Sequence, residues 1–111
     1  MEEFKTEKQL VNYLIHRLNA AGNYVWRNNS GIARMVYKGK ERIWRAGVRG
    51  SSDIIGIAYN GRFIAIECKI GKNKVTPAQE QFLRTIDDLG GYALVARSEK
   101  DIAILLGKII N

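Results

Sequence analysis

Apolar residues recur at helical spacing in three stretches of the chain, and in short strand-like runs between them. Leu10, Val11, Leu14, Ile15 and Leu18 make a stripe with the period of an amphipathic helix, predicted over 6–21. Thr6 with Gln9 fits a capping box, and Gly22 stops the helix. Residues 24–29 read as a short strand, and Ser30-Gly31 as a turn. Segments 32–37 and 42–45 then read as a hairpin around Lys38-Gly39-Lys40. A second hairpin pairs 54–59 with 63–66, both rich in Ile and aromatics. Asn60-Gly61 between these runs predicts a type I′ turn, which needs φ > 0 at both central residues. A second helix is predicted over 76–89. Thr76 with Gln79 makes another capping box, Pro77 suits the first helical position, and Gly90-Gly91 ends it. Its apolar face is Ala78, Phe82, Ile86 and Leu89. Tyr92–Ala96 reads as a buried strand, and Ser98 caps a last helix with the stripe Ile102, Leu105, Leu106 and Ile109.

The predicted order is α-β-β-β-β-β-α-β-α. A strand–helix–strand crossover brings its two strands together in parallel, whereas the hairpins are antiparallel. The expectation is an α/β fold with a mixed β-sheet flanked by helices, in one domain over 1–111. With 46% hydrophobic residues the chain can bury a core.

The second hairpin carries ionisable residues where a buried strand should have none. Asp53 opens it, and Glu67-Cys68-Lys69 closes it. Side chains alternate along a strand, so Glu67 and Lys69 share a face and Cys68 points to the other. A buried carboxylate is costly unless it is paired or bound to a metal. Folding back the hairpin sets Asp53 beside Glu67 and Lys69. Two arrangements fit: a structural ion pair of Lys69 with one carboxylate, or a hard-cation site with oxygen ligands. In the second, Lys69 can stabilise a phosphate or orient a water. Glu7 lies in line with the buried stripe of the first helix. It is either a first-turn acid favoured by the helix dipole or a third carboxylate for the site. Gln79 is explained by its capping box, and it can equally reach the end of the Lys69 strand. His16 is out of line with Glu7 and reads as a boundary residue.

Charge adds a partner. The chain has a formal net charge of +7 and a pI of about 9.8, which favours a polyanion. Between positions 24 and 49 lie Arg27, Arg34, Lys38, Lys40, Arg42, Arg45 and Arg49, opposed by Glu41 alone. Trp26, Tyr37 and Trp44 are interleaved with them, a pattern that suits a nucleic-acid backbone with some stacking. A solvated hairpin with its aromatics on the core is the plainer alternative. Lys72 and Lys74 are further phosphate contacts or simply loop residues. The glycines of 47–52 offer a flexible approach that would let a phosphate come close to Asp53. A single Cys excludes an intrachain disulfide and fits a reducing compartment. No apolar run is long enough for a membrane span, and MEEFKTEK does not read as a signal peptide. A cytoplasmic location is therefore expected, and the Asn28-Asn29-Ser30 sequon carries no weight.

Taken in order, Glu7, Trp26-Arg27-Asn28, Gly50-Ser-Ser-Asp53, Gly61-Arg-Phe, Glu67-Cys-Lys69, Thr76-Pro-Ala-Gln79 and Gly90-Gly91-Tyr-Ala span nearly the whole chain. This set resembles the PD-(D/E)XK nuclease superfamily, and more closely its small stand-alone VRR-NUC type of phages and bacteria. Ser52 stands where the superfamily name has proline, a position that varies. The resemblance implies a restriction-endonuclease-like core, α-β-β-β-α-β, with an added hairpin in the N-terminal half and a C-terminal helix. It implies a Mg²⁺- or Mn²⁺-dependent DNA endonuclease of replication, repair or recombination, similar to Holliday-junction resolvases that act as homodimers on branched DNA. Asp53, Glu67 and the Cys68 backbone carbonyl would then hold metal, and Lys69 would position or help activate water. Glu7 would bind a second metal or a metal-bound water, and Gln79 would support the site. The residues alone also allow, as a second reading, a non-catalytic nucleic-acid-binding module, and as a third, weaker one, a nuclease acting on RNA.

Overall fold

The computed structural model describes residues 4–29 and 31–110, with backbone alone at 31–35, 37 and 42–46. The elements are α1 (Glu7–Ala20), β1 (Tyr24–Arg27), β2 (Gly31–Tyr37), β3 (Lys40–Ala46), β4 (Ile54–Ile57), β5 (Phe63–Cys68), α2 (Pro77–Asp88), β6 (Tyr92–Ala96) and α3 (Glu99–Ile110). Their order is the one the hydrophobic pattern predicts. A four-stranded mixed sheet runs β1-β4-β5-β6, antiparallel except for the β5–β6 pair. That parallel pair is joined by α2, as the crossover argument requires.

Helices cover both faces of this sheet. Leu10, Leu14 and Leu18 of α1 and Ile102, Leu105 and Ile109 of α3 pack with Val25, Ile54, Ile64, Ile66, Cys68 and Ala96 in one buried cluster. Alternation along β5 turns Ala65 and Glu67 to the opposite face, where α2 packs on β5 and β6. That second layer is thin: no residue of α2 is buried. No helix among the described residues is long and apolar enough to cross a membrane.

Strands β2 and β3 form a separate two-stranded ribbon. Its turn is where the structure departs from the sequence reading. Lys38 (φ 52°) and Gly39 (φ 74°) both have positive φ, the signature of a two-residue type I′ turn. Asn60-Gly61 is not such a turn, because only Gly61 (φ 90°) is left-handed. The connection between β4 and β5 is longer, spanning 58–62. Gly61 N–H donates to the Ala58 carbonyl (2.8 Å), Ala58 N–H donates to the Arg62 carbonyl (2.8 Å), and Asn60 Oδ1 accepts from Arg62 N–H (3.1 Å). Longer hairpin loops use a turn followed by one left-handed residue, and that needs only one glycine.

The caps also sort themselves. Thr76 and Gln79 complete the predicted box at α2. At α1 the box is half made: Thr6 accepts from Gln9 N–H, but Gln9 Oε1 accepts from Lys5 N–H instead of Thr6. At α3 the capping acceptor is Asp101, whose Oδ2 takes Arg97 N–H (2.7 Å) and Ser98 N–H (3.2 Å).

Candidate active site

The register Ile54↔Ile66 sets Asp53 opposite Glu67 at the open end of the β4–β5 hairpin. Asp53 Oδ2 accepts from Cys68 N–H at 2.9 Å, so its carboxylate lies across the end of β5. Asn28 holds the Asp53 segment from the other side. Its N–H donates to the Asp53 carbonyl (2.8 Å), and its Nδ2 donates to Ser51 Oγ (2.7 Å) and to the Ser52 carbonyl (3.0 Å). With its amide nitrogen so engaged, Asn28 is a structural staple, a role its sequence position did not reveal.

The end of the loop 47–52, next to Asp53, is therefore anchored. Gly50 (φ 74°) lies so close to α2 that a Cβ there would collide with the Ala78 backbone. At Gly50 the close approach that requires glycine is to the protein's own helix. Through this contact the start of α2 and the Asp53 loop are fixed to each other. Ser52 is buried, with its hydroxyl unpartnered among the described residues.

Glu67 is 1% exposed. Burial, then the Asp53 charge and a hydrogen bond between the two carboxyl groups, push its pKa up to about 8; the Lys69 charge pulls the other way but less strongly. Ionisation of Glu67 beside Asp53 is thus opposed, and the pair favours holding a proton or a cation. Burial also pushes the Cys68 thiol up, with the charges of Asp53, Glu67 and Glu7 adding to it. The thiol is thereby kept protonated, and it points into the core beside α1 and α3. What Cys68 can offer a metal is its backbone carbonyl.

Lys69 follows β5 directly, and its N–H donates to the Ala96 carbonyl (3.1 Å). Its charge reaches Glu67, yet among the described residues no ion pair within 4 Å joins it to either carboxylate. Glu7 is near enough for its charge to act on Cys68, but its Oε2 accepts from Asn73 Nδ2 (3.3 Å). Among the described residues, no three His, Cys, Asp or Glu side chains gather as a metal-binding group. Glu7 therefore stands beside the pair rather than in it. Gln79 Oε1 accepts from Thr76 N–H (2.8 Å), which turns its carbonyl to the helix cap. Two carboxylates, a backbone carbonyl and water still suit Mg²⁺, which is commonly bound through one or two carboxylates while keeping several waters.

The basic residues fall into two groups. Arg27 ends β1, and its charge reaches Cys68. Lys72 and Lys74 are exposed on either side of Asn73, and Arg49 is exposed in the Asp53 loop. Lys38 and Lys40 sit at the tip of the ribbon, whose seven-residue strands carry them about 23 Å along its length. The side chains of Arg34, Arg42 and Arg45 lie outside the described part of the structure. His16 is exposed.

The chain matches no protein-family model and no curated protein sequence.

Proposed function

We propose that this protein is a Mg²⁺- or Mn²⁺-dependent DNA endonuclease that hydrolyses phosphodiester bonds through the site at Asp53, Glu67 and Lys69. One observation carries the reading: buried Glu67 faces half-buried Asp53 at the open end of the hairpin, beside a lysine that makes no ion pair with either member. A structural ion pair would have brought Lys69 onto Asp53 or Glu67. Instead the lysine is left for a further anion, and the carboxylates are left for a cation. The restriction-endonuclease-like core implied by the ordered motifs agrees with the observed hairpin–helix–strand order and mixed sheet.

The chain's residues divide the work. Asp53 and Glu67 hold the ion, with Asp53 oriented by the Cys68 N–H and Asn28 fixing its backbone. Lys69 adds positive charge where the transition state gains negative charge, and it orients the attacking water. The bound ion supplies Lewis-acid polarisation of the phosphate and a lower pKa for water. Arg27, Arg49, Lys72 and Lys74 hold the backbone around the site without reading bases, and the ribbon contacts it farther away. Glu7 and Gln79 act from the rim.

Cleavage of duplex and branched DNA with Mg²⁺ should be lost in Asp53→Ala and strongly reduced in Lys69→Ala. Undiminished cutting by both would reject the site. The enzyme is further proposed to act as a homodimer, since one chain offers one site and symmetric cutting of two strands needs two. A monomer mass by light scattering, with and without DNA, would count against that.

The absence of a three-residue acidic group among the described residues favours a second reading, a basic module that binds nucleic acid without cutting it. That reading predicts salt-sensitive DNA binding with no calorimetric signal on titrating Mg²⁺ or Mn²⁺.

A further inference from the structure

The second sheet face is covered by α2 only over β5 and β6. Over β1 and β4 it is largely uncovered among the described residues. The pairs Tyr24↔Ile57 and Trp26↔Ile55 set four apolar side chains on one face, and Ile57↔Phe63 adds a fifth. Their outward side is wet: Tyr24 is 71% exposed, Trp26 42%, Ile57 48% and Phe63 37%. The opposite face of the same strands is buried, at Val25 and Ile54. The Tyr24 and Trp26 rings lie 5.6 Å apart, tilted at 55°. Two large aromatics exposed side by side on an open sheet are not explained by the core, because neither contributes to it.

Asp53 and Glu67 lie on this same face, because Asp53 shares the parity of Ile55 and Ile57, and Glu67 that of Phe63. Asn28, two residues beyond Trp26, bonds to Asp53. Trp26 is therefore about 7 Å along the strand from the carboxylate pair. Exposed Arg27 follows it directly, and the chain then enters the basic ribbon.

We infer that the open face of β1 and β4 is a stacking platform for unpaired nucleobases next to the cleaved phosphate, with Tyr24 and Trp26 as its stacking side chains. Aromatic rings on an open sheet bind bases of any sequence through their π-faces, and only bases outside a duplex present such faces. Local charge points to this occupant: exposed Arg27 follows Trp26 and exposed Arg49 lies in the Asp53 loop, on a chain of net charge +7, so the face attracts a polyanion. The inference rests on the nuclease reading for its location beside the cut, and it narrows the substrate to DNA with a single-stranded segment.

The test separates the two ideas by leaving out metal. A labelled oligothymidylate about ten nucleotides long is bound in EDTA and followed by anisotropy, with a blunt duplex as comparison. Trp26→Leu keeps an apolar side chain but removes the ring, and it should weaken oligothymidylate binding about tenfold. Trp26→Phe should restore most of that loss, and Tyr24→Ala should add to it. Binding to the duplex should change far less. In a Trp44→Phe background Trp26 is the sole tryptophan, and its fluorescence should be quenched by the oligonucleotide. Both side chains being largely outside the core, circular dichroism should find the variants folded. Equal binding by the Leu and Phe variants would overturn the platform. So would a fall in sedimenting mass from dimer to monomer in Tyr24→Ala or Trp26→Leu without any loss of oligothymidylate affinity, because the face would then join two copies. Ring-dependent binding without Mg²⁺-dependent cutting would reject the nuclease reading and leave the platform standing.

Discussion

Glu67→Gln should abolish metal-dependent DNA cleavage and at the same time raise the melting temperature of the metal-free protein at pH 8 and above. The two effects have one cause. Glu67 is buried opposite Asp53, and its ionisation is opposed by burial and by the neighbouring carboxylate. Gln has almost the same volume, so no cavity forms, and its amide can donate to Asp53 where a carboxylate can only repel. The metal-free fold loses a strained charge and gains a hydrogen bond. The same change removes half of the anionic ligand pair. Metal assistance supplies several kcal/mol of transition-state stabilisation, so the rate should fall by about a thousandfold or more. Paired melting and cleavage measurements check this directly. A variant that is inactive and also less stable at pH 8.5 would mean that Glu67 is held by a structural partner instead.

The second large effect is in pH dependence. The pKa of Glu67 is raised in the folded protein to about 8, from an ordinary value of 4.5. The folded state therefore binds this proton more tightly than the unfolded chain does. Its contribution to stability is fully present below pH 4.5 and is lost as pH rises through about 8. Metal-free wild type should melt lower at pH 8.5 than at pH 5.5 by roughly 5 °C or more, relative to Glu67→Gln measured in parallel. The comparison with Gln cancels the other titrating groups. Mg²⁺ or Mn²⁺ should reverse the loss, because the ion takes over the role of the proton. Below pH 8 its binding should release a proton, seen by calorimetry in buffers of different ionisation enthalpy, and its affinity should rise with pH. Equal affinity at pH 6.5 and 8.5 with no proton released would exclude Glu67 as a ligand.

Much of the fold was legible because the hydrophobic period changes at each element boundary. The stripe Leu10–Leu14–Leu18, the runs flanking Asn60-Gly61, and Thr76-Pro77 each depend on neighbours within one or two turns of chain. The hairpin also fixed the facing of Asp53 and Glu67, because register follows once the strands pair. What local pattern misassigned was the turn type. Asn60-Gly61 carries the stronger type I′ signal, yet the left-handed pair formed at Lys38-Gly39. The number of residues between paired strands decides the turn, and that number depends on where pairing stops.

Other features needed the whole chain. Asn28 as the staple of the Asp53 loop, Asn73 as the partner of Glu7, and Gly50 against Ala78 each join segments far apart in sequence. The open aromatic face was equally hidden. Tyr24 and Trp26 look like ordinary strand aromatics until one knows that α2 stops short of β1 and β4.

The sequence by itself determined the element order, the mixed sheet and the meeting of Asp53 with Glu67, because those follow from short-range periodicity and from one hairpin. Only the tertiary structure decided that Lys69 stays off the carboxylates, that Glu7 stands beside the pair rather than within it, and that part of the sheet is left uncovered. Each of these depends on the distances between elements brought together by packing, and no local pattern encodes those distances.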